Sequence, residues 1–257
     1  MLDDKRELFV FAGPNGSGKS TIIKHFLEQS LCPSLYICPD SLIYDYHSAF
    51  PIPPELLHFY LDTLSNKDFT ERLHLSGIIN KTTGTSNPKP TKATFEIAMD
   101  KAQQLRNYAL EIGASFTVET VFSTKEKLEF IIDAAMKKYM VTVIYVVTTS
   151  PEINIKRIHE RVAMGGIDVP VEKVRRRYYR SLNLMPSALE FADCAFVFDN
   201  SDGLFPILHK EDNEYYLLNK EKRDEQWTKE YLIGPLIHQG ASFAGDLTMD
   251  ETKERNL

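Results

Sequence analysis

Gly13-Pro14-Asn15-Gly16-Ser17-Gly18-Lys19-Ser20 follows the apolar run Leu8 to Ala12 and precedes Thr21 to Leu27, a stretch with helical patterning. The octet fits G-x-x-x-x-G-K-[ST] and lies between a strand and a helix, where a phosphate loop must lie. The layout has a chemical reason. Glycines let the backbone wrap a phosphate closely, N–H groups and the helix N-terminus turn partial positive charge toward it, and Lys19 adds a full charge on a mobile stem. Ser20 carries the hydroxyl that such loops give to Mg2+, so it is the expected metal ligand. Residues Gly13 through Ser20, with Thr21 next to them, form the expected ATP-binding segment. A dinucleotide loop fits less well, because G-x-G-x-x-G is not met and the Lys-Ser pair would have no purpose.

Working outward, a second short run, Leu35 to Cys38, ends at Pro39 and Asp40, which puts an acidic residue just past a strand end. Strand ends are where α/β sites are built. From Thr91 to Ile112 good helix formers dominate, Ser115 to Thr120 predicts a buried strand, and Lys125 to Tyr139 a helix. VTVIYVVT, Val141 to Thr148, is β-branched and nearly continuous; Pro151 to Met164 is helical; Ala195 to Phe198 is expected to be the last short strand. Near-continuous apolar strands separated by helices predict an α/β fold, a parallel sheet with helices on both faces. Residues 41–92, rich in proline and containing KTTGTSNPKP, are read as an insertion or substrate lobe within a kinase-like domain spanning residues 1–238. Residues 239–257 are expected to be a loosely held polar tail.

The 257 residues, 43% hydrophobic and 26% charged, suffice for one large core. A balance of 30 Lys+Arg against 36 Asp+Glu, net −6, supplies no general attraction to nucleic acid or to an anionic membrane. Phosphate handling must therefore be local. No run reaches the ~18 apolar residues of a membrane helix, and the first residues lack a basic-then-apolar secretory layout, so a cytoplasmic protein is expected. Cys32, Cys38 and Cys194 form no CxxC or CxxH pair, which signals neither a disulfide framework nor a zinc site.

Phosphoryl transfer needs a group to orient or deprotonate the acceptor hydroxyl and cations to follow the moving charge. Asp40 is the candidate for the hydroxyl, with a helix N-cap as its alternative role. Arg157 and Arg161 are one turn apart on PEINIKRIHERVAMGG, while Ile155, Ile158 and Val162 share another face. Two guanidiniums ahead of Gly165-Gly166 suit a lid that closes on ATP. In VEKVRRRYYRSLNLM, Val171, Val174, Tyr178, Leu182 and Met185 form one stripe, with Arg176, Arg177 and Arg180 opposite as further candidates for the cleft. Glu119 ends SFTVET, where an acidic group serves either Mg2+ or substrate.

With these residues placed, the chain resembles the zeta-toxin family of P-loop kinases, whose studied members phosphorylate UDP-N-acetylglucosamine or related UDP-sugars. The likeness spans roughly Leu8 to Asn200 and rests on AGPNGSGKST, the acidic residue of CPDSL, VETVFS, and RVAMGGIDVP followed by RRRYYRSLNL. It implies that Asp40 is the catalytic base and that Lys19 and Arg161 stabilise the transferring phosphate. It also implies that Glu119 with Thr120, Ser123, Arg176 and Arg180 binds the acceptor, and it makes an antitoxin protein a partner to look for, without deciding whether this chain has one. Two positions depart from the pattern. Ile167 stands where the family has His or a basic residue, and Val121 where the toxins carry Thr, and both changes touch the acceptor rather than ATP.

Three other functions compete. An ABC-type or switch ATPase is suggested only by Leu75-Ser76-Gly77, without the rest of LSGGQ and without a hydrophobic run ending in Asp-Glu. A polynucleotide-end or nucleoside kinase lacks the expected aromatic-plus-basic stripe. A silent nucleotide-binding module would have no use for Lys19, Ser20, Asp40 and Arg161 together.

Overall fold

The structure, a computed structural model, describes residues 6–39, 92–164 and 166–246. One eight-stranded sheet runs through them in the order β2-β3-β1-β4-β5-β6-β7-β8. Its first half alternates strand and helix: β1 (Glu7–Ala12), α1 (Lys19–Glu28), β2 (Tyr36–Ile37), α2 (Lys92–Ile112), β3 (Phe116–Thr120), α3 (Lys125–Met136), β4 (Met140–Val147), α4 (Pro151–Ala163), α5 (Val171–Glu190) and β5 (Cys194–Asp199). These five strands pair in parallel, as the sequence predicts.

The near-continuous apolar runs have a visible cause. In β4, Val141, Val143, Tyr145 and Val147 enter the larger core, shared with α2, α3 and α5, while Ile144 and Val146 enter a smaller core under α1. Strand β1 divides likewise, with Leu8, Val10 and Ala12 on one side and Phe11 among Ile22, Ile23 and Leu27 of α1 on the other. A strand covered on both faces has no polar side to show. The predicted stripe of α5 is also real. Val174, Tyr178, Leu182 and Met185 are buried, and Tyr178 donates its hydroxyl to the Thr148 carbonyl at 2.6 Å, which ties α5 to the end of β4.

Strand β5 is not the last. β6 (Phe205–Glu211) and β7 (Glu214–Leu217) continue the sheet antiparallel, joined by a tight turn in which Asp212 and Asn213 take φ of 50° and 64°. Both residue types tolerate that conformation. α6 (Lys220–Arg223) and short helical turns through Trp227 and Leu232 follow, and β8 (Ser242–Asp246) then pairs parallel to β7. Part of the stretch read as a polar tail is thus sheet, with Phe243 against the Tyr215 ring at 5.7 Å. Lys210 in β6 is buried, and burial lowers its pKa. Its ammonium donates to the carbonyls of Leu189, Glu190 and Ala192 at 2.9, 2.8 and 2.6 Å, capping the C-terminal end of α5. Residues 41–91, the bulk of the expected insertion, lie outside the described residues.

Candidate active site

The loop between β1 and α1 sits at the C-terminal edge of the sheet, flanked by β3 on one side and β4 and β5 on the other. Two glycines are required by contact as well as by conformation. Gly13 has φ 139°, and a Cβ there would stand 2.0 Å from the Val146 carbonyl oxygen. Gly18 has φ 97°, and a Cβ there would meet Asn200 Nδ2 at 2.2 Å. Inside the loop the buried Ser17 hydroxyl has no hydrogen-bond partner among the described residues. The first turn of α1 carries no acidic side chain. A buried unsatisfied donor, a helix N-terminus and the ammonium of Lys19 make a cradle that suits a phosphate.

Lys19 is 5% exposed; its Nζ donates to the Pro14 carbonyl at 2.9 Å and stands 3.9 Å from Glu119 Oε1. The Ser20 hydroxyl reaches both oxygens of Glu119, at 3.2 and 3.3 Å, and Tyr36 donates its phenol to Oε2 at 2.7 Å. Burial, and then the Glu119 charge, push the Tyr36 pKa well above the ordinary tyrosine value, so the phenol remains a donor. Arg106, buried in α2, donates from one terminal nitrogen to the carbonyls of Ile37 and Glu119, both at 3.1 Å. It joins the ends of β2 and β3 beneath this cluster, and burial lowers its pKa. Ser20 and Glu119 offer only hard oxygens, which fits Mg2+, an ion that takes few protein ligands and fills its shell with phosphate and water. Among the described residues, no group of three His, Cys, Asp or Glu could hold a metal by itself.

On the other flank, Asn200 Nδ2 donates to the Ser17 carbonyl at 2.8 Å, and Asn154, which accepts from Thr148 at 2.5 Å, packs its backbone against Gly16. Arg157 turns to this side, with one terminal nitrogen on the Ser201 carbonyl at 3.0 Å. Arg161 does not reach the loop. It is exposed and donates to the Ile167 carbonyl at 2.7 Å, folded over Gly166. Of the arginines on α5, Arg177 approaches the loop, 3.4 Å from Asn15 Oδ1, and burial followed by the charge of Arg176 lowers its pKa. Arg176 and Arg180 are exposed. The reason is helical geometry: Arg177 borders the buried stripe of Val174, Tyr178 and Ser181. Thr120 accepts from the Phe122 N–H at 3.1 Å, Ser123 is half-buried, and Thr21 is exposed on α1. Asp40 and Gly165 lie outside the described residues.

Tyr36, Arg106, Asn154 and Asn200 escaped the sequence reading. Asn200 had a usable signal, since it directly follows a strand end. Arg106 had another: a charge beside the stripe of Ala98, Ala102, Leu105 and Ala109, all of which are buried.

No family model and no curated protein matches the sequence. Solved structures do. The AvrRxo1-ORF1:-ORF2 complex with ATP superposes with a TM-score of 0.55 at 12% identity, covering 86% of this chain and 63% of that one. The native complex gives 0.53 at 12%, covering 85% and 62%. At these identities the likeness is one of fold. The chain spans under two thirds of each of these two AvrRxo1 chains. The PezAT chromosomal toxin–antitoxin system of Streptococcus pneumoniae also matches, at 14% identity and a TM-score of 0.47, covering 100% of this chain and 87% of that one. Among the described residues no helix is long and apolar enough to cross a membrane.

Proposed function

We propose that this chain is a kinase that moves the γ-phosphate of ATP onto a hydroxyl of a small molecule, with a UDP-N-acetyl sugar as the first acceptor class to test. The observation that carries the proposal is the convergence of Lys19, Ser20 and Glu119 at the mouth of the phosphate loop. Loop backbone and Lys19 hold the donor phosphates, and Lys19 exchanges its contact with Pro14 for a phosphate oxygen. Ser20, with Glu119 beside it, would hold Mg2+, which would supply charge neutralisation for the donor phosphates. Asp40 takes the acceptor proton as the acceptor oxygen bonds to the γ-phosphorus and the bond to the ADP oxygen breaks. Glu119, read from sequence as serving either metal or acceptor, is assigned here to the metal side because Ser20 and Lys19 are its neighbours. Arg161 joins only after the segment around Gly166 moves, and Arg177 is the better supported arginine of α5. Arg176, Arg180, Thr120 and Ser123 remain proposed acceptor contacts. An antitoxin-type partner belongs to the same proposal, on the strength of the family resemblance.

The test is label transfer from γ-labelled ATP, with Mg2+, to a panel of UDP-sugars, nucleosides, a 5′-hydroxyl oligonucleotide and small metabolites, using Lys19→Met and Asp40→Asn as controls. Transfer to a small acceptor, abolished in Asp40→Asn while ATP still binds, is expected. Label on no member of the panel, with ATP hydrolysis that survives Asp40→Asn, refutes the kinase reading. Label on the oligonucleotide alone replaces it with an end kinase.

A further inference from the structure

Asp199, at the end of β5, is fully buried, and a buried carboxylate needs a partner. Its Oδ2 is met at 2.8 Å by Lys222 Nζ, which arrives from α6, beyond the antiparallel half of the sheet. Its Oδ1 accepts the backbone N–H of Ser201 at 2.9 Å and the Ser201 hydroxyl at 2.5 Å. That hydroxyl in turn accepts the Thr149 N–H at 2.9 Å, and the Ser201 carbonyl accepts Arg157. The second terminal nitrogen of Arg157 is buried with no partner among the described residues. Lys222 is itself held. Its N–H is capped by Asn219 at 3.0 Å, its carbonyl accepts Thr228 at 2.8 Å, and its ammonium stands 3.0 Å from Glu225 and 5.5 Å over the Phe205 ring. Burial works against its charge, but the ion pairs that its ammonium makes with Asp199 and Glu225 prevail and hold it above the ordinary lysine range.

We infer that Lys222 is a positioning residue for the nucleoside end of the donor: through Asp199 it sets the Ser201 turn, and through that turn it aims Arg157 at the bound nucleotide. The inference rests on the ATP reading above and deepens it. Topology supplies the direction. Ser20 and Glu119 mark the β3 flank as the γ-phosphate side, so the nucleoside leaves the loop on the β5 flank, where Arg157 stands. The phosphate end is insulated from the brace, because Asn200 is fixed independently by its N–H on the Val147 carbonyl at 2.9 Å and keeps its grip on Ser17.

This separation gives the test. Dissociation constants for ATP and for inorganic tripolyphosphate are measured on the full chain by calorimetry, with melting temperature alongside, for wild type, Lys222→Met, Lys222→Arg and Ser201→Ala. Lys222→Met is expected to lose about ten-fold in ATP affinity, as one or two polar contacts are worth, while tripolyphosphate affinity changes less than about two-fold. Lys222→Arg should recover most of the loss, and Ser201→Ala should reproduce it in a milder form. A folded Lys222→Met with wild-type ATP affinity, or an equal loss for both ligands, overturns the inference. Should Lys222→Met fail to fold, Ser201→Ala decides by the same criterion. Failure of the wild type to bind ATP is a different outcome, which removes the ATP reading itself.

Discussion

Replacing Gly18 with alanine should cost stability by two separable routes, and a second substitution can tell them apart. Gly18 has φ 97°, and an L-residue held in the left-handed region costs roughly 1–2 kcal/mol. The new Cβ would also stand 2.2 Å from Asn200 Nδ2, so the amide must swing away and surrender its 2.8 Å hydrogen bond to Ser17, worth about 1 kcal/mol. Gly18→Ala is thus expected to cost about 2–3 kcal/mol and Asn200→Ala about 1 kcal/mol. The bond can be lost only once. The double variant should therefore also cost about 2–3 kcal/mol, a coupling of about 1 kcal/mol that a double-mutant cycle resolves. Denaturant unfolding without nucleotide measures all three variants. Strict additivity in the double variant would refute the claim that Asn200 is what a Gly18 side chain displaces.

Other expectations follow from equally specific contacts. Lys210→Met removes the donor shared by the Leu189, Glu190 and Ala192 carbonyls and should lower stability by roughly 3 kcal/mol, read as a lower denaturant midpoint at unchanged m; a loss below about 1 kcal/mol would mean water replaces the cap. Tyr36→Phe frees the Glu119 carboxylate from its 2.7 Å donor, and the Mg2+ concentration for half-maximal ATP binding should rise about three- to ten-fold with metal-free ATP affinity unchanged; the opposite pattern would remove Glu119 from the metal side. Burial pushes Tyr139 and Tyr215 up to about 12. Because the unfolded chain ionises first, near pH ~10, their contribution is whole below that pH and declines as pH climbs toward 12, so alkaline unfolding should coincide with tyrosinate absorbance. Ionisation of these tyrosines below pH 10 in the folded protein would contradict their burial.

The strand–loop–helix that carries the phosphate loop was legible because its signals are local: one octet carries the glycines, Lys19 and Ser20, and the strand before it and the helix after it obey simple periodicities. The parallel half of the sheet was legible for the same reason, since VTVIYVV can only be a strand covered on both sides. What stayed hidden depends on contacts across the chain. FPILHKE does not read as a buried strand, because its lysine is satisfied by carbonyls of a helix some twenty residues earlier. Nothing in a list of neighbouring arginines separates Arg177 from Arg176 and Arg180 until the helix is seated and its buried edge is known. Arg157 and Arg161 share a face in sequence, but one grips the turn after β5 and the other its own connecting segment. A shared face does not set a shared destination.

Strand β2 contributes only the two ladder partners Tyr36↔Thr117 and Ile37↔Val118 to the sheet. So brief a strand is weakly anchored by its own hydrogen bonds, and the guanidinium of Arg106 acts as a rivet through the end of the joint, gripping a carbonyl on each side. The end of β2 is fixed to β3 by that rivet, whereas the phosphate loop is mounted on the central strand β1. The two fixings are separate: loss of the arginine would loosen β2 from β3 while leaving the loop's own attachment to β1, between β3 and β4, in place.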